Sequence, residues 1–279
     1  MGVHPRVTPP WLNDGMGYDE TFLSTTPLPL PARPDLTVLT YTHFSVSMDT
    51  ERRLAAVTAV NIDGGALQEV DRGDDWRLDP RLPATAQAGP ELYANNDIDR
   101  GHLVRRRDPV WGSRDVAEQA NEDTFHYTVC GPQTATLNQS KTLWLGLEDY
   151  VLEHARTYGQ TISVFSGCVF AEDDPVYRGV AIPRRFFKIA AWWQNDVLAA
   201  TGYVLDQSES LAPILERGVL ASDIPPLGAY RTYQVPITDI AAATGLAMAE
   251  LTAADRLALV PGVRPVDWRE IEGADDLVW

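Results

Sequence analysis

Residues 99–102 read Asp99-Arg100-Gly101-His102, inside the run Asn95-Asn96-Asp97-Ile98-Asp99-Arg100-Gly101-His102-Leu103-Val104-Arg105-Arg106. Hydrolysis of a phosphodiester needs a base for water, a cation for the charge that develops on phosphorus, and an acid or metal-bound water for the leaving oxygen. His102 suits the first role, because imidazole titrates near neutrality and accepts a proton there. Arg100 suits the second, because guanidinium is always charged and forks onto phosphate oxygens. Gly101 removes a Cβ where backbone and substrate would approach closely. By the same reading His43, His126 and His154 are packed, hydrogen-bonded residues, His126 in Phe125-His126-Tyr127 and His154 at core spacing on a helix.

A short string around one histidine is weak by itself, and the order of the motifs downstream strengthens it. These are Trp111-Gly112, Asp123-Thr124-Phe125, Pro132-Gln133, Leu137-Asn138-Gln139 and Trp144-Leu145-Gly146-Leu147-Glu148. Taken together, the motifs resemble the signature of the DNA/RNA non-specific endonucleases, the ββα-metal (His-Me finger) nucleases of the Serratia nuclease and endonuclease G type. The resemblance covers roughly residues 37–205. It implies an α+β fold, a mixed central β-sheet flanked by helices, and hydrolysis of DNA and RNA that leaves 5′-phosphates.

Carried over by position, the resemblance makes His102 the general base, Arg100 a phosphate contact and Asn138 the metal ligand. The Asn138 side-chain oxygen suits Mg²⁺, with Mn²⁺ as the alternative, and such a hard ion keeps most of its waters. Glu148 becomes the acid that orients a metal-bound water, and Asp99 and Gly101 support the site's geometry. Arg72, Arg105, Arg106 and Arg156 are the expected substrate contacts. The interval from Asn138 to Glu148 is about two residues longer than the family's usual spacing, which on a continuous helix would rotate Glu148 by about 200°. The extra residues are therefore expected in a loop before Trp144. Val129 stands where an Asn often precedes Pro-Gln, and Leu152 where some relatives carry a basic residue.

The elements that must position these residues are legible in outline. Residues 1–36 are proline-rich and read as an extended N-terminal arm, ahead of a single nuclease domain over 37–279. Thr37–Met48 is rich in β-branched and aromatic residues; with a turn at Asp49–Arg52 and an apolar run Leu54–Ile62 it predicts a hairpin. Ser113 caps a predicted helix through Asn121, and Phe125–Cys130 reads as a buried strand. Leu143, Leu147, Tyr150, Val151, His154 and Tyr158 recur at helical spacing, which predicts a helix over Lys141–Tyr158 with Ser140 as N-cap and Gly159 as stop. Thr161–Phe170, Arg185–Trp193, Val197–Leu205 and 230–236 read as strands, and Thr238 onward as short helices.

Composition sets bounds. The chain has 279 residues, 44% of them hydrophobic, enough for a sizeable core. Its net charge of −16 runs against the basic footprint usual in a non-specific nucleic-acid binder. A local patch and a bound cation can still hold phosphate, and Arg100, Arg105, Arg106 and Arg107 cluster. Arg184, Arg185 and Lys188 form a second basic group, with a solvated face as its plainer reading. Asp49, Asp71, Asp74, Asp75 and Asp79 do not fit an EF-hand and read as solvated turn residues. Cys130 and Cys168 read as buried free thiols, with a bridge between them left open. Trp192-Trp193 points to both sides of a strand, so at least one ring belongs to the core.

No run approaches a membrane span, and the first residues lack the apolar core of a secretory signal, so cytoplasmic residence is the default expectation, with non-classical export left open. The expected partners are DNA and RNA through their phosphates, with a homodimer and an inhibitor protein as further candidates and no membrane. Two other readings stand beside the nuclease: a catalytically weakened, nuclease-fold binding or interaction module, favoured by the acidic charge, and a metallohydrolase of small phosphodiesters.

Overall fold

A computed structural model describes residues 17–135, 155–217, 231–259 and 268–271. Chain order begins with β1 (Thr37–Tyr41), β2 (Phe44–Asp49) and β3 (Leu54–Asp63), followed by a short helix α1 (Pro90–Tyr93) and β4 (Ile98–His102). Next come α2 (Arg114–Asp123), β5 (Cys130–Thr134), β6 (Thr161–Val169), β7 (Val176–Tyr177), β8 (Val180–Ala181), β9 (Arg185–Gln194) and β10 (Val197–Asp206). The last elements are α3 (Ser208–Arg217), β11 (Arg231–Val235), α4 (Ile237–Thr244), α5 (Ala249–Ala253) and β12 (Arg269–Glu270). Eight strands form one sheet in the order β1-β2-β3-β6-β9-β10-β11-β12, and each neighbouring pair runs antiparallel. The architecture is α+β, as the resemblance implies.

Both faces of this sheet are covered, so its central strands carry apolar residues on consecutive positions rather than in simple alternation. One face holds Phe44, Val46, Val60, Ile62, Phe186 and Tyr203, and packs against Leu92 of α1, Leu103, Val104, Val129 and Leu211 of α3. The other face holds Val57, Ala59, Phe165, Phe187 and Ile189, and packs against Ile237 and Ile240 of α4, Leu251 of α5 and Leu28. Each fully buried ring or large aliphatic side chain contributes about 1.5–3 kcal/mol. The first face is the floor on which the functional layer is built.

Several elements depart from the sequence reading. Thr37–Met48 is two strands, because the chain reverses at Thr42–His43. There His43 takes a φ of 67°, its ring stacks on Trp111 at 3.4 Å, and the Thr42 amide and hydroxyl both donate to the Asp123 carboxylate. Phe125–Cys130 is buried but is a 3-10 turn over Tyr127–Val129; the strand begins at Cys130. The predicted second helix is present as α2 with Ser113 at its N-cap, although the Ser113 side chain makes no capping hydrogen bond. Of the helix predicted at Lys141–Tyr158, residues 155–158 are helical and the remainder lies outside the described residues, as does His154. Gly159 ends it at a φ of 60°.

The second basic group is not a patch. Arg184 pairs with Asp173 at 3.2 Å, and Lys188 is buried on the site-facing side of the sheet between Ser166 and Tyr203. Asp79 and Asp49 are not solvated: both are buried. Asp79 accepts hydrogen bonds from Tyr41 and Arg81, and Asp49 pairs with Arg33. Cys130 and Cys168 are buried free thiols. Trp192 packs against the core while Trp193 is partly exposed. No helix among the described residues is long and apolar enough to cross a membrane.

Candidate active site

Strands β4 and β5 form a separate two-stranded antiparallel ribbon with Gly101 opposite Gly131 and His102 opposite Cys130. Side chains two apart on a strand share a face, which brings Arg100 and His102 together. The two facing glycines have different neighbours. A Cβ on Gly131 would stand 2.8 Å from the Phe186 ring of β9, and one on Gly101 would stand 2.1 Å from Cδ and Oε1 of Gln133. The ribbon therefore seats directly on the large sheet, and the space beside Gly101 is taken by Gln133, where the sequence reading expected substrate.

His102, Arg100 and Asp99 border a cleft of about 1010 Å³, together with Arg72, Arg105, Arg106 and Arg107. The arginine row follows β4 in a turn pinned at both ends by buried Val104 and Val110 and closed by a hydrogen bond from the Asp108 amide to the Arg105 carbonyl. Trp111, just beyond, donates its indole N–H to the Asn61 carbonyl at 2.8 Å. Arg106 is held by the Val70 carbonyl and the Asn121 side chain. Burial, and then the charges of Arg72, Arg107 and Arg105, lower its proton affinity. Guanidinium groups crowded in this way favour an anion between them.

His102 is half-buried. Its ring donates a hydrogen bond to the Thr124 carbonyl, while Nε2 is buried with no hydrogen-bond partner among the described residues. The bond to Thr124 thus falls to Nδ1, which fixes the neutral tautomer whose Nε2 carries a free lone pair. Burial first, and then the positive charges of Arg72, Arg106 and Arg100, lower the imidazole pKa to about 3. The ring packs against Trp76 at 4.9 Å and edge-on to Phe125 at 5.5 Å. Gln133 also borders the cleft and is buried with its Nε2 unpartnered.

The other expected site residues divide. Arg72, Arg105 and Arg106 line the cleft. Arg156 instead pairs with Glu69 at 3.2 Å, and the same carboxylate takes Arg107 at 2.9 Å. Asn138 and Glu148 lie outside the described residues. Among the described residues, no group of three or more His, Cys, Asp or Glu converges as a metal cage. Two of the other histidines are tied into the structure: His43 contacts the Pro109 carbonyl, while His126 contacts the Asp123 carbonyl and accepts from Arg77. The sequence reading gave no role to Trp76, Tyr93, Tyr127 or Gln133, all of which border the cleft. Gln133 does stand in the quoted Pro132-Gln133, and Trp76 lies four residues after Arg72.

The profile of the DNA/RNA non-specific endonucleases matches residues 26–255. The chain belongs to that family. Its members include phosphodiester hydrolases, and the arginine-lined cleft around His102 is where this chain carries the family motif. The uncharacterized protein y4fB of Sinorhizobium fredii is 43% identical, over 78% of this chain and 34% of its own length. The chain thus spans about a third of that relative. A protein named "Nuclease" from Nostoc sp. is 24% identical, over 78% of this chain and 74% of its own. Among solved structures, a chain of the EndoG/EndoGI complex superposes with a TM-score of 0.55. It is 20% identical, with 75% of this chain and 84% of that chain covered, and this likeness concerns the fold.

Proposed function

We propose that this chain is a metal-dependent, sugar non-specific endonuclease that hydrolyses phosphodiester bonds of DNA and RNA. The observation that carries the reading is the lone, unpartnered Nε2 of His102 in a cleft lined by five arginines. Phosphate contacts carry no sequence information, so a site built from guanidinium groups is expected to cut without base preference. The scissile phosphate lies between Arg100 and the Arg72/Arg105/Arg106 row. Nε2 of His102 accepts a proton from water as the water oxygen bonds to phosphorus. The bond to the 3′ oxygen breaks and that oxygen takes a proton from a second water, leaving a 5′-phosphate and a 3′-hydroxyl. Phosphate charge offsets the arginines that lower the proton affinity of His102, so the base strengthens when substrate is bound.

The polar groups bordering the cleft suit a hard cation. Beside the arginines they are largely oxygen donors, such as Asp99, and Mg²⁺ needs few protein oxygens because it keeps most of its waters. Asn138 would supply the ligand oxygen, and Glu148 would orient a metal-bound water. A cation held there would stabilise the negative charge on that oxygen. The family likeness also supports homodimer formation, and the EndoG/EndoGI complex supports an inhibitor protein as a partner.

The test is digestion of plasmid and RNA with Mg²⁺, Mn²⁺ or EDTA, using wild type, His102→Ala and Asn138→Ala. Both nucleic acids should be cut with either metal and not in EDTA, and both variants should be inactive but folded. Full activity in His102→Ala would remove the mechanism. Tight binding without cleavage by the wild type would favour the binding-module reading.

A further inference from the structure

We propose that Trp76 is a positioning residue that fixes the general base and the phosphate cation relative to each other; this rests on the nuclease reading of the site. The indole is half-buried and borders the cleft. The His102 ring lies 4.9 Å from it at an interplanar angle of 51°. The Arg100 guanidinium carbon lies 5.1 Å from its ring centre, within the range of a cation–π contact. Phe125 meets the indole edge-on at 5.5 Å, and Tyr127 packs on it at 5.7 Å. Tyr127 also accepts a hydrogen bond from Arg100.

The indole is itself held in place. Its N–H donates to Asp74 at 3.0 Å. The next residue, Arg77, bridges to His126, its amide donating to the Phe125 carbonyl and its carbonyl accepting from Tyr127. With a guanidinium over its ring and three aromatic neighbours around it, the indole is committed to the site's own residues. Its part is therefore to support His102 and Arg100, with stacking on a substrate base as the competing idea. Arg100 and His102 sit two residues apart on β4, so the backbone sets their spacing. The free rotations of their side chains remain, and a shared rigid contact removes both. Misplacing a reacting group by about 1 Å can cost about 10²-fold in rate.

The experiment is steady-state cleavage of a defined duplex by wild type, Trp76→Phe, Trp76→Ala and Asp74→Ala, with denaturation curves to establish that each is folded. Trp76→Ala should lower kcat by roughly 10- to 100-fold with a much smaller change in KM. Trp76→Phe should recover most of that loss, and Asp74→Ala should fall between wild type and Trp76→Ala. In an Arg100→Ala background, Trp76→Ala should cost less than it does alone, because part of its effect passes through Arg100. An unchanged kcat with a raised KM in Trp76→Ala would overturn the positioning role in favour of base stacking. Full additivity with Arg100→Ala would also overturn it. An inert wild type would instead overturn the nuclease reading on which the proposal rests.

Discussion

Replacing Gly101 with alanine separates the two roles of the Asp99–His102 segment, because the change adds one methyl group and leaves every charge in place. The new Cβ would stand 2.1 Å from Cδ and Oε1 of Gln133 and 2.6 Å from its Cγ, whereas ordinary contact begins near 3.4 Å. About 1.3 Å must therefore be found. Rotation at the end of the Gln133 side chain cannot supply it, because Cγ is also too close. Gln133 is 1% exposed, so a larger rotation meets packed neighbours. The alternative is to move β4, on which His102 is the next residue. Overpacking of this kind costs about 1–3 kcal/mol, which for a chain of this size is roughly 2–12 °C in Tm. A displacement near 1 Å at His102 is expected to cost about 10²-fold in kcat.

The assays are thermal denaturation and plasmid nicking on the same preparations. Gln133→Ala removes all three clashing atoms, so the double variant Gly101→Ala/Gln133→Ala should regain Tm relative to Gly101→Ala alone. A Gly101→Ala protein with wild-type Tm and wild-type rate would refute the steric account. A wild-type Tm with lost activity would restore the sequence-based idea that Gly101 makes room for substrate.

The depressed proton affinity of His102 has a consequence for acid stability. Its folded-state pKa of about 3 lies below the ordinary 6.5, so the unfolded chain binds the extra proton between those values. The stability it lends is present above pH 6.5 and is lost as pH falls toward 3. Between pH 6.5 and 5 this amounts to at most about 2 kcal/mol, and chemical denaturation should show His102→Gln losing less stability than wild type over that interval; equal losses would contradict it. Salt provides a second test. Five arginines among the described residues line the cleft, so log KM against log salt should have a slope of about 4.5 if these five carry the phosphate contacts, reduced by about 0.9 in Arg105→Ala. A steeper slope would require basic residues from elsewhere on the surface.

How much was legible in the sequence depends on how local each signal is. The strands at Thr161–Val169, Arg185–Gln194 and Val197–Asp206 announce themselves through β-branched and aromatic runs, and the ordered motifs located the cleft through His102 and Arg100. Thr37–Met48 misled because a turn at His43 depends on partners far along the chain, Trp111 and Asp123, which no local pattern encodes. Asp79 misled for the same reason: its partner Tyr41 is distant in sequence, and an isolated acid in a turn-rich stretch looks solvated. Trp76 and Thr124 reach the site by the same kind of long-range packing. Arg156 illustrates the opposite limit. It was expected to contact substrate, but a carboxylate at Glu69, remote in sequence, pairs with its guanidinium.

The acidic composition and the proposed substrate are reconciled by where the charges fall. A net charge of −16 describes the whole surface, and its repulsion of a polyanion is screened over about 10 Å at 0.1 M salt. Inside that distance the local inventory governs: among the described residues, the cleft presents five arginines against two aspartates, Asp74 and Asp99. Arg107 is partly offset by Glu69, while Arg72, Arg100 and Arg106 are close enough to His102 to lower its proton affinity. The same guanidinium groups therefore do two things in sequence. Without phosphate they add to burial, the larger cause, in holding down the proton affinity of the imidazole. On the proposed mechanism, bound phosphate would balance their field and raise the proton affinity of the base as water gives up its proton. On that mechanism, an acidic body with a small arginine-lined cleft would give up long-range attraction and concentrate its electrostatics on the step of bond cleavage.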